Sequence, residues 1–394
     1  MFENLTEQAP DKIMLLAGMY RADTRENKID LGVGVYKNAK GETPIMHAVK
    51  NAERQLWDAE VTKSYTALIG DGGFHTAMAD LVLEDSVDRD RVSFAATPGG
   101  TGAIRQILEL IKAASPDATI WMSDPTWPNH PAIINYVGVK SATYRYLDPE
   151  TRTVSFEAMM DDLADVKAGD VVLLHGCCHN PTGANLNLVQ WGEVADLMLA
   201  KGAVPFVDIA YQGFGDGLSE DGAAVRLLAG RFPEMMIAAS CSKNFGIYRE
   251  RTGIVMAISE NPKANKMTQG MLSSLNRVNF SFPPDHGARL VTMVLTDDAL
   301  RTEWKTELED VRTGMLALRR QLADALQAET NSNRFGFVAE HRGMFSRLGL
   351  TPEQVERLRT EYAIYMIGDS RFNVAGLNAN TVPIIAKAIA EVDR

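Results

Sequence analysis

Met235-Met-Ile-Ala-Ala-Ser240-Cys-Ser-Lys243-Asn-Phe-Gly246 joins an apolar run to a small polar turn that carries a lysine. Met235 to Ala239 reads as a buried strand, since an unbroken apolar run between Glu234 and Ser240 suits a strand covered on both faces. An ammonium group at such a strand end is costly. Burial favours the neutral amine, and a neutral lysine is a nucleophile able to form Schiff bases. Arg251 follows eight residues later, and Ser240 and Ser242 offer hydrogen bonds to an anion. For an arbitrary lysine, a surface-loop lysine beside an arginine would be the prevailing reading; here the rest of the chain decides.

Working outward, the same texture repeats. Strand-like runs at Val92–Ala96, Thr119–Met122, Val171–Leu174, Val204–Val207 and Ile254–Ile258 alternate with amphipathic stretches such as 188–200. Strands alternating with helices predict a mostly parallel sheet covered on both faces, with ligands beyond the carboxyl ends of the strands. Candidate polar residues fall at those ends: Gly100 and Thr101, Asp124 to His130, His175 to Asn180, Asp208 to Tyr211, and Ser240 to Lys243. Residues 303–328 read as one long helix, with Trp304, Leu308, Val311, Met315, Leu318 and Leu322 near helical spacing. It leads into a C-terminal segment that suits a smaller second domain, completed by the N-terminus.

The chain has 394 residues, more than one core usually serves, so two domains are expected. Net charge is −11, which argues against nucleic acid or an anionic membrane as the main partner. Three cysteines without paired spacing fit a reducing compartment. Cys177-Cys178-His179 suggests metal only weakly, because adjacent side chains on an extended chain point to opposite faces; no metal is expected. No signal peptide or membrane-length apolar run is visible, so the expectation is a cytoplasmic protein.

Gly99-Gly100-Thr101-Gly102 between a strand and a helix favours a phosphate, through backbone N–H groups and the helix dipole. A dinucleotide fingerprint is the rival reading, and Asp124 stands where a ribose-binding acid would; Arg105 at the third glycine position weighs against it. Asp208 ends a mostly apolar strand and needs a cationic or proton-donating partner to stay charged. It reads either as a helix cap or as a carboxylate holding a heterocycle nitrogen protonated. Tyr211 is near enough to share the site. Trp127, fixed by flanking prolines, suits stacking on a flat ring. His130 reads first as a satisfied core histidine, and Asn180 as part of a turn or a ligand to an oxygen. Arg277 and Arg371 lie among apolar neighbours, each an ion-pair partner or a fork for a carboxylate. Jointly, a Schiff-base lysine, a phosphate cradle, an acid for a ring nitrogen and carboxylate-binding arginines describe pyridoxal-phosphate chemistry on amino acids.

The chain resembles, end to end, the class I aminotransferases of pyridoxal-phosphate fold type I. The likeness rests on Leu31-Gly-Val-Gly34-Val-Tyr-Lys37, Lys63-Ser-Tyr65, Pro98-Gly-Gly-Thr-Gly-Ala103, Asp124-Pro-Thr-Trp-Pro-Asn-His130, His175-Gly-Cys-Cys-His-Asn-Pro-Thr-Gly183, Asp208-Ile-Ala-Tyr-Gln-Gly-Phe214 and Ser240-Cys-Ser-Lys-Asn-Phe-Gly246. Cys241, Gly246-Ile-Tyr-Arg-Glu-Arg-Thr-Gly253 and Glu340-His-Arg-Gly-Met-Phe-Ser-Arg347 make it most similar to bacterial aromatic-amino-acid (tyrosine) aminotransferases.

The resemblance implies an α/β fold: a large cofactor domain over 46–300 with a mostly parallel seven-stranded sheet sandwiched by helices, and a smaller α/β domain from 1–45 and 301–394. It implies pyridoxal 5′-phosphate held covalently by Lys243, which also moves the α proton. Asp208 pairs with the ring nitrogen, supported by His130; Tyr211 and Asn180 meet the phenolic oxygen; Trp127 stacks on the ring. Gly100, Thr101, Ser240, Ser242 and Arg251 cradle the phosphate, with Tyr65 from the partner of a homodimer. Arg371 holds the substrate α-carboxylate beneath Gly34, and Arg277 from the partner meets a distal carboxylate. The reaction implied is ping-pong transamination of aromatic amino acids, and of acidic ones, with 2-oxoglutarate. Phe280 and Phe282, where strict aspartate enzymes are more polar, favour the aromatic reading. The alternatives are an aspartate aminotransferase with minor aromatic activity and a catalytically silent binding protein; the latter would have lost the lysine, the acid or an arginine, and this chain retains all three.

Overall fold

The computed structural model describes residues 1–7, 10–38 and 40–394. A helix over Lys12–Ala22, capped by the Asp11 carboxylate accepting from the Ile13 and Met14 amides, precedes the short strand β1 (Ile29–Asp30). Seven strands then build the central sheet: β2 (Val92–Pro98), β3 (Thr119–Asp124), β4 (Lys140–Arg145), β5 (Val171–His175), β6 (Val204–Ile209), β7 (Met235–Ser240) and β8 (Thr252–Ile258). Their order is β2-β8-β7-β6-β5-β3-β4. β8 runs antiparallel to β2 and β7, and the remaining pairs are parallel.

The six strands expected from apolar runs are all present, most of them a residue or two longer. β4 was not legible. Its sequence, Lys-Ser-Ala-Thr-Tyr-Arg, is largely polar because it lies at the sheet edge, where charged side chains discourage further pairing.

Alternation along the buried strands explains the two-sided cover. In β7, Met235, Ile237 and Ala239 face one apolar core while Met236 and Ala238 face the other. In β8, Ile254, Met256 and Ile258 face the first, and Val255 and Ala257 the second. The helix Gly99–Ala114 packs its Ile104, Ile107, Leu108 and Ile111 face into the second core. Full burial of one such Leu or Ile side chain contributes about 1.5–3 kcal/mol. The helix Leu188–Lys201 begins with a capping box between Asn187 and Gln190 and ends at Gly202 in the left-handed region.

The long helix spans Asp298–Thr330, capped by Asp297 accepting from the Leu300 amide. Beyond it lie β9 (Phe345–Arg347), β10 (Ile364–Tyr365) and β11 (Arg371–Asn373). β1 pairs in parallel with β10, so the two ends of the chain meet, and β9 pairs antiparallel with β11. The last helix, Thr381–Val392, packs along the long one. Among the described residues, no helix is long and apolar enough to cross a membrane.

Candidate active site

A cavity of about 200 Å³ opens at the carboxyl edge of the parallel strands. Each strand delivers its part there: Gly100 and Thr101 after β2, Trp127 after β3, His175 and Asn180 after β5, Asp208 at the end of β6, and Ser240 to Lys243 at the end of β7. Arg251 reaches the same rim because β8 is reversed and starts there. Gly34, Tyr211 and Arg371 complete the expected lining. Ile13, Ile104, His175, Cys177, Ala210, Tyr248 and Phe345 line it as well, although no role was read for them in the sequence. Tyr248 and Phe345 lie inside quoted motifs and His175 in a strand-end cluster; Ile13 is distant in sequence and carries no local signal.

Lys243 lies with its Nζ 4.9 Å from the Tyr211 ring centroid. Burial pushes its amine below the ordinary lysine value; Asp208 opposes that shift and Arg251 reinforces it. The loop is anchored from the long helix. Trp304 donates its indole N–H to the Asn244 carbonyl at 2.7 Å and stacks on Phe245 at 4.6 Å.

Burial by itself would raise the Asp208 carboxyl, but His130, His175 and Lys243 hold it below the ordinary carboxylate value. His130 is fully buried, and its Nε2 lies 3.1 Å from Asp208 Oδ2. A carboxylate only accepts, so Nε2 carries the proton. Thr126 Oγ1 stands 2.8 Å from His130 Nδ1 and 3.1 Å from His175 Nε2. His130 therefore lies behind the cavity wall, where its polar atoms are satisfied.

The glycine turn shapes a cradle. Gly99 has φ +72°, and a Cβ there would fall 2.6 Å from an Arg251 nitrogen; a Cβ on Gly100 would touch Ser240 Cβ at 3.0 Å. Only glycine lets backbone amides and the Arg251 guanidinium converge this closely. Ser240 Oγ accepts from the Ser242 amide at 3.3 Å, and Arg251 Nη1 donates to the Tyr248 carbonyl at 3.2 Å. Arg371 is buried, 4.7 Å over the Phe345 ring, and burial pushes its guanidinium below the ordinary value. Its Nη2 and the Asn180 Oδ1 are buried without any partner among the described residues. Such atoms are costly unless a ligand satisfies them.

Two expected residues stand elsewhere. Tyr65 is exposed and stacks on Phe282 at 4.6 Å, and Arg277 lies 5.9 Å from that same ring while donating to Ser281 Oγ at 2.6 Å. Neither lines the cavity of its own chain. The geometry assumed for the cysteines is also corrected. Cys178 has φ +50°, so the segment is a turn rather than an extended strand, and its sulfur comes within 4.8 Å of a donor atom on each of Cys177 and Asp221.

The profile of the family described as aminotransferase class I and II matches residues 26–389. The chain is 58% identical over 392 residues to an aromatic-amino-acid aminotransferase of Paracoccus denitrificans, covering all of both chains. It is 41% identical over 395 residues to an aspartate aminotransferase of Haemophilus influenzae, again covering all of both. Among solved structures, an aromatic-amino-acid aminotransferase from Burkholderia pseudomallei, covalently bound to pyridoxal phosphate, superposes with a TM-score of 0.97 at 37% identity, over the whole of both chains. With a half-buried lysine, a hydrogen-bonded aspartate and a glycine cradle at one sheet edge, and a family match over nearly the whole chain, this protein belongs to the class I and II aminotransferases.

Proposed function

We propose that this chain is a pyridoxal-phosphate-dependent aminotransferase that takes aromatic amino acids, and acidic ones as well, with 2-oxoglutarate as amino acceptor. The observation that carries the reading is the buried Arg371, whose unpartnered Nη2 serves the same cavity as Lys243 and Asp208. A planar guanidinium kept dry over an aromatic ring suits the carboxylate common to all α-amino acids. The apolar wall of Ile13, Ile104, Trp127 and Phe345 favours a flat hydrophobic side chain.

The residues fit the cofactor. The unpartnered Asn180 amide oxygen, the Gly99–Thr101 cradle with Arg251, and an Asp208 kept ionised match an oxygen-bearing, phosphorylated heterocycle. When bound, pyridoxal phosphate supplies a protonated ring that takes up the electron pair released from the α carbon. Asp208 would keep that ring nitrogen protonated, with His130 holding the carboxylate in place. Trp127 would stack on the ring, while Tyr211 and Asn180 would orient its oxygen. Gly100, Thr101, Ser240, Ser242 and Arg251 would hold the phosphate. Lys243 would hold the cofactor through its amine, and that amine, when free, would accept the α proton and return it as a general base and acid. Gly34 and Ile13 close over the substrate and exclude water.

The working unit is a homodimer in the cytoplasm. Tyr65 and Arg277, exposed beside Phe282, reach the partner's cavity: Tyr65 its phosphate, Arg277 a distal carboxylate. Residues 46–300 form one body, and 1–45 with 301–394 another that moves over the substrate. Three buried free cysteines support a reducing compartment. The test is kcat/KM for phenylalanine, tyrosine and aspartate with 2-oxoglutarate. Phenylalanine equal to or above aspartate supports the reading, and a strong preference for aspartate with trace aromatic turnover overturns it.

A further inference from the structure

We propose that Cys177, Cys178 and Asp221 form a binding site for one thiophilic divalent cation, of the zinc or cadmium type, behind the main cavity. The two sulfurs and a carboxylate oxygen lie within 4.8 Å of one another, and all three residues are buried. Metal–sulfur bonds of about 2.3 Å and metal–oxygen bonds of about 2.1 Å in a tetrahedron require donors roughly 3.5–4 Å apart, so a small contraction of side chains closes the set. The left-handed conformation of Cys178 is what turns adjacent thiols to one side.

The surroundings suit a ligand set. Asp221 is fixed by three backbone donors: the Gly213 and Gly215 amides, each 2.8 Å from Oδ2, and the Asp216 amide 2.9 Å from Oδ1. Carboxylates that bind metals are characteristically oriented by such outer hydrogen bonds. Cys177 and Asp221 line a second cavity of about 490 Å³, which gives an ion a route in and room for a water as fourth ligand. Glu220 on its wall attracts a cation; Asp216, also on the wall, is paired with Arg342 at 2.6 Å, and Arg226 with Glu84 at 3.1 Å. Arg319 carries a charge that acts on Cys178 and has no carboxylate partner among the described residues. It is fully buried, has only carbonyl and hydroxyl acceptors among the described residues, and partly offsets the rise that burial gives the Cys178 thiol. Two thiolates, a carboxylate and a divalent ion sum to one negative charge, which Arg319 balances. Apart from each other, the thiols have weak partners: Cys178 Sγ lies 4.0 Å from the Tyr211 carbonyl.

Binding breaks two S–H bonds, forms two sulfur–metal bonds and releases two protons to solvent, while Asp221 coordinates as the carboxylate. The experiment is titration of the full-length protein with cadmium ion, followed by thiolate-to-metal absorbance in the ultraviolet. One cadmium per chain with release of two protons is expected. Cys177→Ser and Cys178→Ser lose the absorbance and Asp221→Asn weakens binding, whereas Cys241→Ser, whose thiol lies against Met78, retains it. X-ray absorption at the cadmium edge of the wild-type complex needs no variant, and should show two sulfur neighbours with oxygen completing the shell. Fewer than two sulfurs, or absorbance that survives Cys178→Ser and disappears in Cys241→Ser, overturns the proposal.

Discussion

Asp208 Oδ2, at the cavity wall, and His130 Nε2 stand 3.1 Å apart, and this contact helps hold a half-buried carboxylate in its charged form. On the proposed mechanism that charge keeps the cofactor ring protonated. Asp208→Asn preserves shape and removes the charge, so kcat should fall by about 10²- to 10³-fold, as for loss of one aimed electrostatic group. His130→Asn leaves the carboxylate in place and should cost less. Single-turnover rates with phenylalanine distinguish the two; equal losses would mean that His130 does more than support.

Arg371 should contribute equally to every substrate. Arg371→Lys keeps the charge and loses the bidentate fork, and kcat/KM should drop about 10- to 100-fold for phenylalanine and aspartate alike. A loss confined to one of them would place the α-carboxylate elsewhere.

Arg277 should behave differently. It lies on the surface beside Tyr65 and Phe282, outside its own chain's cavity. With the neighbouring copy as its target, Arg277→Ala should lower kcat/KM for aspartate and glutamate by about 10- to 100-fold, the worth of a charge-assisted pair. Phenylalanine turnover should change little. Equal losses across the three substrates would contradict a distal-carboxylate role.

Stability should depend on pH through His341, which burial pushes down to about 3 from its ordinary 6.5. Its Nδ1 lies 2.9 Å from Ser346 Oγ and its Nε2 2.9 Å from the Arg152 carbonyl. The depressed value means the unfolded chain binds the extra proton first. The stability is therefore fully present above 6.5 and is lost as pH falls toward 3, at up to about 1.4 kcal/mol per unit. His341→Gln removes this contribution, so its denaturation free energy should vary less steeply between pH 6.5 and 4.5. An unchanged slope would assign the acid sensitivity to other groups.

Much of the site was legible because its parts are local. A strand followed by a small polar turn puts Lys243, Asp208 and Thr101 at one sheet edge wherever the strands are parallel, and each segment announces itself by an apolar run and a turn. The edge strand β4 was missed for the converse reason: with one side unpaired, it needs no apolar run. The cysteine geometry was misjudged because a left-handed backbone at Cys178 is dictated by the packed turn around it rather than by residue type.

By itself, then, the amino-acid sequence determined six of the sheet's seven strands, the lysine loop, the acid and the glycine cradle, since periodicity and turn chemistry act over a few residues. Only the tertiary structure decided which distant residues meet there. Ile13, Phe345 and Arg371 join Lys243 through packing across the long helix and the paired chain ends, and Trp304 anchors the lysine loop from that helix. Such contacts depend on burial and shape at large sequence separation, and no short window of the chain contains both partners.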